Sequence, residues 1–332
     1  SEASSEQDAV LYNALWASYT GSVEKNRKLP AGAISKTIET LPELMQQVGG
    51  DTARLALQTR MVDALKTRDE VRAMMMKRGA PDLENKSFRQ VSFSEYLARQ
   101  RPKLFGDGVG VIVASGEITD GNASPGAIGG MSTANLVRRA REDDQIKAIV
   151  LRVDSPGGSA YGSELIRREL ELARAAGKPV VVSMGSVAAS GGYWISMAAD
   201  EVIADPTTIT GSIGVFAILP TAEKVVDKMG IHTAGVRTTW LADAYNPLRP
   251  LDPRFGQLVQ SSINHIYSEF TTKAALARKT TPAKIDEVGQ GRVWTGQQAK
   301  ERGLVDSLGS YGDAIRSAAT RAKLTGDYRV AY

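Results

Sequence analysis

Asp-Ser-Pro-Gly-Gly-Ser at residues 154–159 and Ala-Ala-Ser-Gly-Gly-Tyr at residues 188–193 are the two most informative stretches of this chain. Each follows a β-branched apolar run, at residues 146–153 and 179–184, and each leads into a pattern typical of a helix. A glycine loop between a strand and a helix leaves backbone N–H groups free to bind an anion. The second stretch also presents Ser190 among residues too small to cover it. The pairing indicates acyl transfer by a serine beside an oxyanion hole.

The composition is that of an ordinary globular protein, with 42% hydrophobic and 23% charged residues in a chain of 332. This length corresponds to about two domains. The formal net charge is +4, but Lys and Arg are scattered in singles and pairs, which argues against a nucleic-acid partner. No apolar run approaches the ~18 residues that a membrane span requires.

Cysteine is absent, which excludes thiol catalysis and disulfides and fits either the cytoplasm or a bacterial periplasm. The two histidines, His232 and His265, lack the spacing of a metal-binding motif, so neither a metal nor another cofactor is expected. The first residues are polar and lack an initiator Met. We therefore expect a cut inside a longer chain rather than a signal peptide at this end.

Strand and helix patterns alternate from about residue 104 onward. Largely apolar runs predict buried strands at residues 109–115, 146–153, 179–184 and 201–204. Amphipathic spacing predicts helices, the first with Ser132 or Thr133 as its N-cap, at residues 132–142, 159–176, 194–199, 222–229 and 257–275. The alternation predicts an α/β fold with a mostly parallel sheet, right-handed crossovers and flanking helices.

Segments near the two ends of the chain resemble each other, which suggests an internal repeat. Residues 56–65 parallel residues 299–308, residues 27–34 parallel residues 278–285, and the aromatic pair Trp16 and Tyr19 corresponds to Tyr267 and Phe270. The order is the same in both copies, although chance similarity is the alternative. We expect residues 1–104 to be the helical tail of a first repeat plus a polar connection, and residues 105–332 to be a complete second repeat.

The turn around Ser190 has the small-x-Ser-x-Gly form of a nucleophile elbow. The Gly191 N–H, at the start of a predicted helix, can donate to an oxyanion, and the loop of Gly157 and Gly158 can supply a second donor. Each such donor lowers the reaction barrier by ~3–4 kcal/mol. The alternative is that Ser-Gly-Gly forms only a tight turn.

A histidine base for this serine is one possibility. His232 could act with Asp243 or Asp200, but the residues before it predict the edge of a short strand. His265 falls on the predicted helix at residues 257–275, where a packed or solvated side chain is expected.

A lysine base is the other possibility. Its pKa of ~10.4 would have to fall by about three units, which costs roughly 4 kcal/mol of desolvation. Lys224 and Lys228 lie on a predicted amphipathic helix and Lys178 in a predicted turn, positions typical of solvated charges. The residues alone therefore do not identify the general base of Ser190.

The chain resembles the signal peptide peptidase A family, bacterial membrane-bound proteases of peptidase family S49 in the Clp protease/crotonase superfamily. The motifs that carry this resemblance lie at residues 149–159, 189–196, 210–214 and 293–306. The resemblance covers essentially the whole chain, because the long form of the family consists of two tandem repeats. It implies the repeated β-β-α superhelix of the Clp protease/crotonase superfamily.

The resemblance also implies a Ser-Lys dyad. Ser190 falls on the nucleophile and Ser212 on a serine that helps to orient the lysine. Gly157 and Gly191 fall on the oxyanion donors. Four neighbouring positions are expected on the substrate-binding side: Gly158, Ser159, Gly211 and Ile213.

The lysine of the dyad is not found where the resemblance places it. In the long form it belongs to a Tyr-Lys-Ser-Ala motif of the first repeat, which this sequence lacks, and in shorter relatives it follows the nucleophile, where residues 233–239 contain none. We expect an upstream repeat of the same protein to supply it and the chain alone to be inactive. Asp154, where many relatives carry Asn, is a smaller departure.

The function implied is degradation of cleaved signal peptides at the periplasmic side of a bacterial inner membrane. The implied partners are the peptide substrate, the upstream repeat, further copies in a homo-oligomer, and the membrane through an N-terminal anchor outside this sequence. Two alternatives differ in class. A crotonase-like acyl-CoA enzyme would need carboxylate bases at the glycine loops, and a non-catalytic assembly module would explain the missing base.

Overall fold

The computed structural model describes residues 2–100, 103–124 and 126–332. Two compact units make up the chain. One comprises Asp8–Lys103, and the other comprises Leu104–Tyr332 together with the first residues as far as Gln7. The boundary lies beside the predicted division at residue 104, and the assignment of the first unit to an earlier repeat stays a prediction.

The smaller unit is mainly helical. Its first helix, α1, begins ahead of the unit, and β1 and β2 pair as an antiparallel hairpin. The elements are α1 (Glu2–Arg27), α2 (Ala33–Glu39), α3 (Leu41–Gln47), α4 (Thr52–Gln58), α5 (Arg68–Arg78), β1 (Pro81–Asp82), β2 (Ser87–Phe88) and α6 (Phe93–Arg99).

The larger unit alternates strands and helices as the sequence predicts. Its first half consists of β3 (Gly108–Ser115), β4 (Ile118–Thr119), β5 (Ile128–Gly129), α7 (Gly130–Glu142), β6 (Ile146–Ser155), α8 (Ala160–Ala175), β7 (Val180–Ala189) and α9 (Gly191–Ser196). Its second half consists of β8 (Glu201–Ala204), β9 (Ile209–Gly211), α10 (Glu223–Lys228), a short 3₁₀ helix (Trp240–Asp243), α11 (Pro253–Arg278), α12 (Pro282–Val288), β10 (Val293–Thr295), α13 (Gly296–Glu301), β11 (Ser307–Leu308), α14 (Tyr311–Arg321) and β12 (Arg329–Ala331).

The main sheet branches at β7. The order β12-β3-β6-β7 continues to β9 and β10 on one branch and to β8 and β11 on the other. The first half of β7 pairs with β8 and its second half with β9. All of these pairs are parallel except β9 with β10. The prediction of an α/β fold with a mostly parallel sheet and flanking helices is confirmed.

Both faces of the central strands are buried, which explains why β6 is largely apolar and apolar at consecutive positions from Ala148 to Leu151. Ile149, Leu151 and Val153 belong to a core covered by α8, α9 and α11, whereas Ala148 and Val150 belong to a second core under α14. Side chains alternate across a strand, so a strand covered on both faces needs apolar residues at consecutive positions.

The predicted start of α7 is wrong by two residues. The helix begins at Gly130 with Gly129 as its N-cap, and neither Ser132 nor Thr133 caps it. A Cβ on Gly130 would lie 2.4 Å from the Cα of Gly162 on α8, so the first turn needs glycine to let the two helices touch. Ser132 Oγ instead donates to the Gly129 carbonyl.

The described residues contain no helix that is both long and apolar enough to cross a bilayer. In the same part of the chain, no group of three or more His, Cys, Asp or Glu side chains is arranged to hold a metal ion.

Candidate active site

Ser190 occupies a strained turn between β7 and α9. It has φ 52° and ψ −117°, a backbone conformation that costs a non-glycine residue on the order of 1–3 kcal/mol. Two hydrogen bonds hold it: its N–H donates to the Gly211 carbonyl at 2.9 Å, and its carbonyl accepts from Trp194 N–H at 2.9 Å. The strand extends to Ala189 and the helix begins at Gly191, closer to Ser190 on both sides than predicted.

The Gly157–Gly158 loop at the end of β6 packs directly against this turn. Both glycines have positive φ, 108° and 140°. A Cβ on Gly157 would lie 2.7 Å from Ser190 Cβ, and one on Gly158 would lie 2.1 Å from the Ile118 carbonyl oxygen. Only glycine therefore fits at either position.

The free amides beside Ser190 are those of Gly158 and Gly191. The Gly157 N–H donates to Ser155 Oγ at 3.1 Å, so it already has a hydrogen-bond partner. Neither Gly158 N–H nor Gly191 N–H has a partner within the described part of the chain. The position of a Cβ on Gly191 is 3.2 Å from Gly158 N, so the two amides are close neighbours. The loop amide left unpaired beside Ser190 is thus that of Gly158 rather than that of Gly157, and the role of either as an oxyanion donor stays a prediction.

Ser212 follows β9 and, like Ser190, has a positive φ, 49°. Its N–H donates to the Arg292 carbonyl at 2.8 Å. Because β6, β7 and β9 run parallel, their carboxyl ends lie at the same edge of the sheet, and the glycine loop, Ser190 and Ser212 meet there.

A cleft of about 830 Å³ contains five of the eight predicted site residues: Gly157, Gly158, Ser190, Gly191 and Ser212. Its remaining lining is mainly apolar and aromatic, including Trp194, Val215, Phe216, Ile263, Ile266 and Phe270. Such a surface suits an apolar ligand.

The other three predicted site residues do not line the cleft. Ser159 Oγ caps α8 by accepting from Gly162 N–H at 3.0 Å and donates to Asp120. Gly211 ends β9, where its carbonyl holds Ser190. Ile213 is fully buried in the core, so its side chain is unavailable to a ligand.

The cleft does not contain a histidine from the described residues. His232 lies in a loop after α10 with 79% of its side chain exposed, and the predicted strand edge is absent there. Asp243 pairs with Arg249, and Asp200 pairs with Arg174 at 2.8 Å. A Ser-His-Asp triad is therefore not formed around Ser190.

Lysine is also missing from the described lining of the cleft. Lys178 Nζ donates to the carbonyls of Ala140 and Asp143, and Lys224 and Lys228 are exposed on α10. The titratable side chains in the lining are Glu117 and Tyr267.

The sequence analysis missed a partly buried ion-pair network beneath the cleft. The ring of Trp194 packs against that of Phe270 in a tilted arrangement with centroids 4.6 Å apart, and its Nε1 donates to Glu164 Oε2 at 2.8 Å. The same carboxylate accepts from Arg167 at 2.8 Å and from Lys273 at 3.0 Å. The four-residue spacing from Ser190 to Trp194 places both on one face of a helix, but nothing in the sequence connects Glu164 to them.

The ion pairs of Glu164 should make the stability of the protein depend on pH in the acid range. Burial acts to raise the pKa of Glu164, but hydrogen bonds from Arg167, Trp194 and Lys273 outweigh burial and lower the pKa from 4.5 to about 2. A pKa lowered by folding stabilises the native state above the unfolded value, and this stabilisation disappears as the pH falls through the folded value.

We expect the free energy of unfolding to decline between about pH 4.5 and pH 2, with Glu164 contributing on the order of 2 kcal/mol. That figure is below the full conversion of the pKa shift, because 31% of the side chain is exposed. Urea unfolding of wild type and Glu164→Gln as a function of pH measures it. A wild-type curve parallel to that of the variant over this range would contradict the assignment.

Comparison with known proteins places residues 172–325 in the family model "Peptidase family S49". Protease 4 of Salmonella typhi is 45% identical over 324 residues, covering 98% of this chain and 52% of that protein. The chloroplastic serine protease SPPA of Arabidopsis thaliana is 37% identical, covering 77% of this chain and 39% of that protein. A putative protease of Synechocystis is 37% identical over 186 residues, covering 56% of this chain and 67% of that protein.

Proposed function

The chain belongs to peptidase family S49 and is an SppA-type protease, and on this premise we propose that it carries the nucleophile of a Ser-Lys dyad that degrades cleaved signal peptides. The chain spans about half the length of the first relatives it matches, so the activity of the whole enzyme is part of the proposal. One observation carries it: Ser190, two unpaired amides and Ser212 line the same cleft.

In the proposed reaction, Ser190 Oγ attacks the peptide carbonyl carbon while its proton passes to a neutral lysine amine. The carbonyl oxygen, now negative, accepts hydrogen bonds from the N–H groups of Gly158 and Gly191. The lysine then gives its proton to the leaving amine, and water hydrolyses the acyl ester by the same steps. The helix that begins at Gly191 adds a favourable dipole for the negative oxygen.

The proposed base is a lysine from the upstream repeat, and Ser212 orients it. Two matched ion pairs support the repeat. Arg27 pairs with Asp63 at 3.0 Å, and at corresponding positions of the other copy Arg278 pairs with Asp306 at 3.0 Å. Each arginine ends a helix of 26 residues, α1 or α11.

Backbone φ angles support the internal repeat at two further pairs of matched positions. Lys28 and Lys279, which follow the matched helices, have φ of 54° and 52°. Arg60 and Gly303, four residues into the other matched segment, have φ of 61° and 71°. A positive φ is rare outside glycine, so its recurrence at matched positions favours common descent over chance.

The apolar lining of the cleft supports a substrate rich in apolar residues, as the core of a signal peptide is. The proposal includes a homo-oligomer anchored on the periplasmic side of the inner membrane. Phe216 in the lining of the cleft and Ile218 close to it in the chain, 82% and 76% exposed, offer apolar surface that substrate or another copy can cover.

Labelling with a fluorophosphonate tests the proposal. The reagent phosphonylates an activated serine, and intact-mass analysis with peptide mapping locates the adduct. We expect the chain to be labelled at Ser190 when the upstream repeat is present and not when the chain is alone, because the alcohol then lacks its base.

The remaining outcomes separate the alternatives. Labelling of the chain alone would place the base within these 332 residues and contradict a split dyad. No labelling of Ser190 in the complete protein would contradict the serine mechanism. If the unlabelled protein bound acyl-CoA, the crotonase-like alternative would be favoured. If it bound no acyl-CoA, the assembly module would be favoured.

A further inference from the structure

The backbone of Ser212 rests on the loop that joins α12 to β10. Ser212 N–H donates to the Arg292 carbonyl at 2.8 Å, and Gly291 N–H donates to the Ile213 carbonyl at 2.9 Å. The two segments are in van der Waals contact, since a Cβ on Gly214 would lie 2.8 Å from Gly291 Cα. The conformation of the loop at residues 289–292 therefore sets the position of Ser212.

This loop is itself strained and needs an anchor. Gln290 has φ 58° although it is not glycine, and Gly291 follows with φ 79°. Such a conformation persists only where neighbouring groups fix it. The anchor is Tyr267 on α11, whose hydroxyl accepts from Gln290 N–H at 3.1 Å and donates to Asp286 Oδ1.

Asp286 completes the anchor. Its second oxygen, Oδ2, accepts from Gln290 Nε2 at 3.2 Å. Hydrogen bonds from Tyr267 and Gln290 lower the pKa of Asp286, so the carboxyl is charged at neutral pH. Burial and then the hydrogen bond to Asp286 raise the pKa of Tyr267, so the phenol keeps the proton that it donates. A charged acceptor makes this hydrogen bond stronger than a neutral one.

In the proposed first repeat the matching helix forms without this pair of residues. The internal alignment places Trp16 at the position of Tyr267 and Ser35 at that of Asp286. The helix end and its Arg27–Asp63 ion pair persist in that copy without the pair. Among the described residues, the Tyr267–Asp286 pair thus belongs to the proposed copy that carries Ser190 and Ser212.

We infer that Tyr267 is a positioning residue of the peptidase reaction: anchored by Asp286, it holds the loop at residues 289–292 and through it the strained backbone of Ser212. The inference rests on the proposed function, in which the Ser212 hydroxyl orients the lysine base. Tyr267 also lines the cleft, so its ring contacts the same space as the substrate.

The test is Tyr267→Phe in the enzyme that contains both repeats, because this variant removes only the hydroxyl. We expect kcat and the rate of fluorophosphonate labelling at Ser190 to fall about tenfold, with KM within twofold and thermal stability nearly unchanged. Labelling reports activation of the serine without a bound peptide, which a loss of substrate contact or of stability would not alter.

A double variant provides the second measurement. Tyr267→Phe and Asp286→Ala break the same connection, so together they should reduce kcat no more than the worse of the two alone. Tyr311→Phe is the matched control, since it removes a hydroxyl that bonds to Tyr332 outside the cleft, and it should keep full activity.

Three results would overturn the inference: unchanged kcat and labelling in Tyr267→Phe, a change confined to KM, or losses that add in the double variant. Failure of the proposed function is recognised separately, because wild-type enzyme would then show no labelling at Ser190.

Discussion

Ser190→Ala is expected to lower kcat/KM for peptide hydrolysis by at least about 10³-fold in the enzyme that contains both repeats. The hydroxyl is the only group of this residue that can form the acyl-enzyme, and the oxyanion donors alone cannot replace it. Because alanine keeps the Cβ, the strained turn and its two backbone hydrogen bonds are unchanged. We therefore expect the melting temperature to stay within about 2 °C of wild type.

Hydrolysis of a quenched fluorescent peptide with an apolar core, together with calorimetry, measures both quantities. The matched control is Ser307→Ala, which removes a partly buried hydroxyl that donates to Glu201 at 2.9 Å outside the cleft. More than a tenth of wild-type activity in Ser190→Ala would rule out Ser190 as the nucleophile.

Gly158→Ala is expected to reduce kcat by about 10²–10³-fold, the usual cost of losing one oxyanion donor. An alanine Cβ would lie 2.1 Å from the Ile118 carbonyl oxygen, at a φ of 140° that side chains rarely adopt. The loop must therefore move, and the amide that faces Ser190 moves with it. KM should change much less than kcat, because the donor acts on charge that develops only in the transition state.

The comparison with Gly177→Ala separates the loss of a donor from backbone strain. Gly177 also has a positive φ, 82°, but a Cβ there would meet no atom within 4 Å, and it lies after α8 outside the cleft. That variant should lose about 1 kcal/mol of stability and no activity. Equal effects of the two substitutions on kcat would show that Gly158 supplies no donor.

The local pattern of the sequence was sufficient for the main elements of the fold. The largely apolar runs that predict β6 and β7 reflect burial on both faces of the sheet, and the glycine turns after them mark the strand ends. The context of Ser190, a strand, a sharp turn and a helix, follows from short-range preferences alone. The start of α7 could not be predicted from local pattern, because it depends on the contact of Gly130 with Gly162, which lies on a different helix, α8.

The glycine loop shows which features of the site can be predicted from local sequence. Both glycines of the loop are required, and the sequence marks both. Which amide is free depends on Ser155, whose buried hydroxyl accepts from Gly157. Hydrogen-bond partners of this kind depend on side-chain rotamers in the folded core, so the sequence could identify the loop but not which of its amides is unpaired.

By itself, the sequence determined the strands β3, β6, β7 and β8, the turn at Ser190 and the glycine loop beside it, because each depends on residues adjacent in the chain. Only the tertiary structure brought Ser212 into the same cleft, placed both histidines outside it and joined Tyr267, Asp286 and Gln290 into one anchor. These relations depend on where β9, α11 and the loop after α12 pack around β7. Packing of distant segments is set by the whole core, and no short stretch of sequence encodes it.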